Sequence, residues 1–343
     1  MTNTKLFGTI FLAILLTLVL QAGEGSAQVT MHGGKGNYRV QSADPVNPSD
    51  IFVNGTLSAF MEKTGPENLA KYYNVNLNMT VGLASYLEAI VNIVPYQDDL
   101  YHIFGRFGDT RIALKYRTPL SSQFFKFGLM GFYKFPTAVW PNVPYEIFST
   151  DKPAWGASAL MTFDLLEAMP NNPMKFDFNV GYIDHNIYDR YFKAKYDQLF
   201  IGAGMKFSVR SMQVYLEYSG ELFINNPDVK FNQNSMRISP GVRFIGPWQN
   251  TIDVAFDFTL TDYDSLKNTD KSFHKEYFGW KLTVGVTHRF SVYKYFDKTA
   301  KLERKKQLEE MRKLEEIRKK REKANQDMER MKKILDKKKS NEN

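Results

Sequence analysis

Residues 277–290 read YFGWKLTVGVTHRF, and this stretch decides how the chain is read. Phe278, Trp280, Leu282, Val284, Val286, His288 and Phe290 fall on one side; Lys281, Thr283, Gly285, Thr287 and Arg289 fall on the other. Successive side chains of a strand point to opposite faces, so this is a strand with an apolar, aromatic face and a polar, charged one. Alone it fits any half-buried strand. It ends in an aromatic residue and follows many similar segments behind an export signal. That combination predicts the closing strand of an antiparallel transmembrane β-barrel.

The earlier segments begin at Ile51. Val53, Leu57, Ala59 and Met61 oppose Asn54, Thr56 and Ser58, and Val75, Leu77, Met79, Val81 and Leu83 oppose Asn76, Asn78, Thr80 and Gly82. Similar alternation recurs near 87–95, 112–117, 125–135, 155–165, 174–182, 201–209, 212–221, 236–244 and 252–260. With 277–290 the expected count is 12 strands, ten and fourteen being the neighbouring alternatives. An even count puts both barrel ends on one side. Connections alternate as well. Those near 84–86, 119–123, 167–173, 209–211 and 246–250 are short, and those near 62–74, 97–108, 137–154, 184–198, 222–234 and 262–276 are long. Short periplasmic turns and long outer loops give this rhythm, so both termini are expected in the periplasm.

Residues 1–27 carry Lys5, an apolar run over 6–20 and the small residues Gly25, Ser26 and Ala27, the pattern of a cleaved signal peptide. After it, no apolar run is long enough for a transmembrane helix. The 343 residues include no Cys, which excludes disulfides and thiol chemistry and suits an exported chain. Residues 28–50 are polar, with Gly33, Gly34, Gly36, Pro45 and Pro48, and read as a flexible mature N-terminus; the alternative is a stretch tucked into the barrel lumen, which nothing in the sequence requires. A barrel follows over 51–290, then a linker over 291–300.

Hydrocarbon leaves no partner for an unpaired backbone group, so the sheet must close, with the first strand pairing the twelfth. Tyr73, Tyr96, Tyr116, Phe135, Trp155 and Phe290 lie near strand ends, where aromatic girdles sit. The competing architecture is a soluble antiparallel sandwich or carrier-like barrel with its apolar face inward. The export signal, the wide aromatic faces and the alternating loops favour the membrane barrel.

The polar faces give the candidate lumen-lining residues: Arg111, Lys115, Arg117, Lys126, Lys175, Asp177, Lys206, Glu217, Arg237, Arg243, Asp253, Asp257, Lys281 and Arg289. Lys134 and the acidic residues Glu88, Asp109, Asp164 and Glu221 share those faces. An open, mildly cationic lumen would favour anions. The same charges could instead pair across a closed interior and stiffen the barrel.

Between Lys301 and Lys339 lie 17 Lys/Arg against nine Asp/Glu, a net of +8 that equals the formal charge of the whole chain. The high pI is therefore a property of the tail, and it does not mark the main domain as a nucleic-acid binder. Residues 301–340 lack Gly and Pro and space Leu314, Ile317, Ala324, Met328, Met331 and Leu335 three, four or seven apart. The expectation is a basic periplasmic helix. It is either a solvated extension, a contact for cell wall or anionic lipid, or a weak coiled coil.

The segment GLASYLEAIVNIVPYQ (82–97) followed by FGDTRIALKYR (107–117) resembles the outer-membrane transporter barrels grouped with the phenol-degradation meta-pathway proteins. Gly82-Leu83, Pro95-Tyr96, Gly108-Asp109 and Lys115-Tyr116 carry the likeness. It implies an outer-membrane barrel and, for that family, transport of small hydrophobic compounds. The long basic tail departs from the family.

Neither catalysis nor a cofactor is expected. The five His are His32, His102, His185, His274 and His288. Asp184-His185 with Ser149 or Ser219 would be the nearest to a hydrolytic set, but no Gly-x-Ser-x-Gly element accompanies it. The scattered His and absent Cys give no metal site. The sequence therefore reads as a narrow outer-membrane channel or transporter for small solutes, with outer-membrane lipid and the barrel-assembly machinery as partners. The alternative is a non-conducting structural barrel whose tail contacts cell wall, anionic lipid or a partner helix.

Overall fold

The computed structural model describes residues 29–63, 69–97, 107–122, 124–138, 153–168, 173–185, 197–209, 211–224, 230–246, 249–261 and 279–291. The signal segment, nearly all of the linker 291–300, the tail 301–340, His102, His274 and Ser149 lie outside these residues.

Twelve strands run in chain order: β1 Asp50–Lys63, β2 Leu69–Ala84, β3 Leu87–Gln97, β4 Thr110–Arg117, β5 Phe125–Phe135, β6 Ala154–Asp164, β7 Met174–Asp184, β8 Gln198–Val209, β9 Met212–Phe223, β10 Ser235–Ile245, β11 Asn250–Thr259 and β12 Trp280–Ser291. Each pairs antiparallel with its neighbours in sequence, and β1 pairs with β12, so the sheet is a closed barrel. The seam runs from Asp50 opposite Ser291 to Ala59 opposite Leu282. An ion pair of 2.6 Å between Arg289 and Asp50 fastens its end. A short helix, α1 (Leu165–Ala168), follows β6.

The alternation sets the two faces of the wall. Along β1, Phe52, Asn54, Thr56, Ser58 and Phe60 are buried, whereas Val53 and Leu57 are 42% and 49% exposed. The same inversion of a soluble core holds elsewhere: Leu77, Met79, Leu114, Leu129, Val180, Leu216, Phe256 and Val286 are all exposed. A contiguous apolar belt around a closed barrel would be very unfavourable in water and is the surface that hydrocarbon requires. This is the fold of outer-membrane barrels.

Aromatic rings cluster at both rims of the belt. Tyr86 meets Tyr116 edge-on at 5.8 Å beside the short connections. Tyr133 meets Phe135 at 4.7 Å, and Trp155 meets Tyr182 at 5.8 Å, beside the long ones. Of the residues expected near strand ends, Tyr73, Tyr116, Phe135, Trp155 and Phe290 are exposed, and Tyr96 is half-buried.

The N-terminal stretch departs from expectation. Residues 29–46 are folded and almost wholly buried rather than a flexible start. They lie within the barrel, against side chains from most of its strands. Ser49, at φ 68°, turns the chain out of the lumen, and its N–H donates to the Gly82 carbonyl at 2.9 Å as β1 begins. The physical reason is the inward polar face, whose donors and acceptors need partners in a space too narrow for bulk water.

Candidate functional site: the occupied lumen

Residues 29–49 form a plug. Its first turn spans Thr30 to Gly34, with Thr30 N–H donating to the Gly34 carbonyl at 2.8 Å and Gly33 N–H to the Thr30 carbonyl at 3.0 Å. Gly33 and Gly34 both adopt φ +83°, a conformation in which a side chain is strained. A Cβ on Gly34 would also collide with Gln41 Oε1 and lie 2.9 Å from Glu88 Oε1. A second turn closes with Asn37 N–H to the Val40 carbonyl at 2.9 Å.

The wall grips the plug chiefly by its main chain. Glu217 on β9 accepts from the N–H groups of Tyr38, Arg39 and Val40 at 3.0, 2.7 and 3.2 Å. Three converging N–H groups make a nest that favours a carboxylate. Asn179 on β7 accepts from Gln41 N–H at 2.7 Å and donates to its carbonyl at 2.8 Å, as a neighbouring strand would. Glu88 on β3 accepts from Lys35 N–H and Val46 N–H at 3.1 and 2.6 Å, and it pairs with Lys115 on β4 at 2.9 Å. Arg243 on β10 donates to the carbonyls of Gly36 and Asn37 at 3.2 and 2.9 Å and is paired with Asp253. Thr162 on β6 accepts from Ala43 N–H at 2.9 Å.

Charged plug side chains add two centres. Asp44 sits among Arg117, Lys126 and Lys175 at 3.2, 2.9 and 3.3 Å, with Lys35 at 3.7 Å. Burial opposes its ionisation, but Lys35, Lys175 and Lys126 outweigh that and hold the carboxyl well below the usual range. Burial likewise pushes the Lys35 ammonium down to about 8, against the pull of Asp44. Arg39 pairs with Asp257 at 2.6 Å, and Lys281 reaches the same carboxylate at 3.2 Å.

The candidate lumen residues all sit on the inner side of the wall, and most are engaged with one another or the plug. Lys206 lies 3.9 Å from Asp177, which accepts from Thr162 at 2.6 Å. Arg237 acts through space on His32 and Asp257. The mildly cationic open lumen is therefore replaced, over the short-connection half, by an interior of paired charges around a polypeptide. The gripping residues Thr80, which accepts from Gly34 N–H at 2.8 Å, Thr162 and Asn179 carried no charge to single them out, and Tyr38, Arg39 and Asp44 lay in the stretch read as flexible. The one sequence signal was the Gly33, Gly34, Gly36 group, which a tight folded turn needs as much as a linker does.

Beyond the plug, toward the long connections, a cavity of about 100 Å³ remains. His32, Arg39 and Gln41 form its floor, and Arg111, Phe132 and Glu221 stand in its wall. Arg111 lies over the Phe132 ring at 3.8 Å. Lys134, opposite Arg111 across β4 and β5, is tied to Asp109 at 3.2 Å. At the rim, His185 is 2.8 Å from Gln198 Oε1, and burial first, then Lys134, pushes its pKa down to about 3. Burial and the cations Arg111, Arg39, Lys281 and Arg237 push the His32 pKa well below its usual value.

No family model matches the chain, and no curated protein matches its sequence. Among solved structures, the NanC porin is similar at 9% identity and a TM-score of 0.48, over 68% of this chain and 98% of that one. An outer membrane channel from Pseudomonas putida F1 is similar at 10% identity and 0.46, over 72% and 98%. The KdgM porin is similar at 6% identity and 0.43, over 69% and 99%. Likeness at this level concerns barrel architecture and carries nothing about solute or gating.

Proposed function

We propose that this chain is an outer-membrane channel or transporter for small solutes whose lumen is closed, in the conformation described, by its own residues 29–49. The carrying observation is the grip of Glu217, Asn179 and Arg243 on the plug main chain. Polar side chains that hold a peptide by hydrogen bonds can exchange those bonds for water when it leaves, which a packed apolar core cannot do. Both barrel ends lie beside the short connections, which supports a periplasmic position for the chain termini. The Gly82–Gln97 and Phe107–Arg117 resemblance supports a place among the phenol-degradation meta-pathway barrels, with small hydrophobic compounds as the solute class.

The filled lumen favours a second reading: a non-conducting envelope barrel stiffened by its internal ion pairs, with the basic tail as its contact to cell wall, anionic lipid or a partner helix. Planar-bilayer conductance separates the two. The mature chain should be closed or flicker briefly, and a variant lacking 28–49 should give a steady pore. Silence from both, with no solute uptake into liposomes, would leave the structural reading standing.

A further inference from the structure

Arg111 is the anomaly of the cavity. Among the described residues its side chain has no hydrogen-bond or ion-pair partner, and its Nε is buried and unpaired. Its contact is the face of Phe132 at 3.8 Å, which leaves the in-plane N–H edges free. The other cations of the cavity are matched, Lys134 with Asp109 and Arg39 with Asp257. Glu221, the remaining carboxylate in the wall, lines the same cavity but forms no ion pair with Arg111. Desolvating a guanidinium without a counter-charge is costly, and a planar fork is suited to a carboxylate.

The rest of the wall sets the shape of the ligand. Val94, Met130, Phe132, Ile183 and Phe200 give the cavity an apolar side. An apolar cavity on the order of 150 Å³ accommodates a six-carbon ring. The present space of about 100 Å³ suits a body of roughly four or five carbons.

We propose that this cavity is a binding site for small monocarboxylates: Arg111 holds the carboxylate, and Phe132, Met130 and Ile183 cover the apolar chain. The plug forms the floor of the site, so the closed barrel is the binding form. Binding therefore does not depend on conduction, and a barrel that never conducts would still bind.

The test is titration calorimetry of the purified mature barrel in detergent with pentanoate, alongside pentan-1-ol and pentylamine. Saturable binding of pentanoate but neither control is expected. Arg111→Gln should weaken it about tenfold or more. Glu221→Gln, which removes a repelling carboxylate, should tighten it, a gain that misfolding cannot imitate. No pentanoate binding, equal binding of the alcohol, or unchanged affinity in Glu221→Gln and in folded Arg111→Gln would overturn the site. A variant lacking 28–49 that conducts while the closed barrel fails to bind would leave the channel standing and remove the site.

Discussion

The two halves of the lumen are built from the same residue types and reach opposite ends. Beside the short connections, Lys115, Lys126, Lys175 and Arg243 all meet carboxylates, and their remaining donors or neighbours involve the plug. Toward the long connections, Arg111 has an aromatic ring and open space. Lumen charges that are saturated by protein hold structure together. A lumen charge that no described residue saturates is open to a ligand. Sign and face do not separate these cases, since Lys115 and Arg111 are both cations on the inner face of β4.

The comparison breaks most directly at Glu217. Glu217→Ala leaves three buried plug N–H groups without their acceptor, each ordinarily costing about 1–3 kcal/mol. Relaxation should reduce the total loss of docking to about 3 kcal/mol. The expected readout is a roughly hundredfold faster hydrogen exchange of amides 38–40 at fixed pH, with exchange in the β1–β12 seam unchanged. Unaltered protection of those amides would mean that the plug is held elsewhere.

A smaller effect is expected at the first turn. Gly34→Ala places a Cβ at φ +83° and against Gln41 and Glu88. The backbone penalty alone is about 1–2 kcal/mol. Oxidative footprinting should show Met31, buried in the folded plug, becoming more reactive, while the exposed Met79 on the outer wall stays as it is.

The comparison is sharpened by pH at the boundary between the halves. The docked His32 has a pKa well below the usual 6.5, lowered by burial and by Arg111, Arg39, Lys281 and Arg237 around it. The released plug therefore binds more protons than the docked one below about pH 6.5, and docking weakens as pH falls through that value. The slope from this group approaches about 1.4 kcal/mol per pH unit. Met31 oxidation should rise between pH 7.5 and 5.5 in the mature barrel, and His32→Gln should flatten the rise. Asp44 works in a separate window: its depressed pKa contributes docking stability above the ordinary carboxylate range, which is lost as pH falls below about 4.

The sequence by itself determined the wall. The twelve strands, the outward faces from Val53 to Val286 and the closure of β1 on β12 follow from a period-two pattern that each segment carries locally; the rhythm of the connections is less regular than expected, since most of the long link read at 62–74 is strand and only 64–68 separates β1 from β2. Closure adds only the demand that no backbone edge face hydrocarbon. What fills the lumen was decided by tertiary structure alone. The plug is held by bonds such as Tyr38 Oη to Thr283 Oγ1 at 2.7 Å, between residues 245 apart in sequence. Main-chain groups of residues 29–46 supply most of the other contacts, and every residue has those groups whatever its side chain. A grip on the main chain leaves no periodicity, so a polar, glycine-containing stretch reads alike whether it is loose or docked. The distinction between Lys115 and Arg111 is of the same kind: both are cations on the inner face of β4, and only the path of the plug decides which one finds a partner.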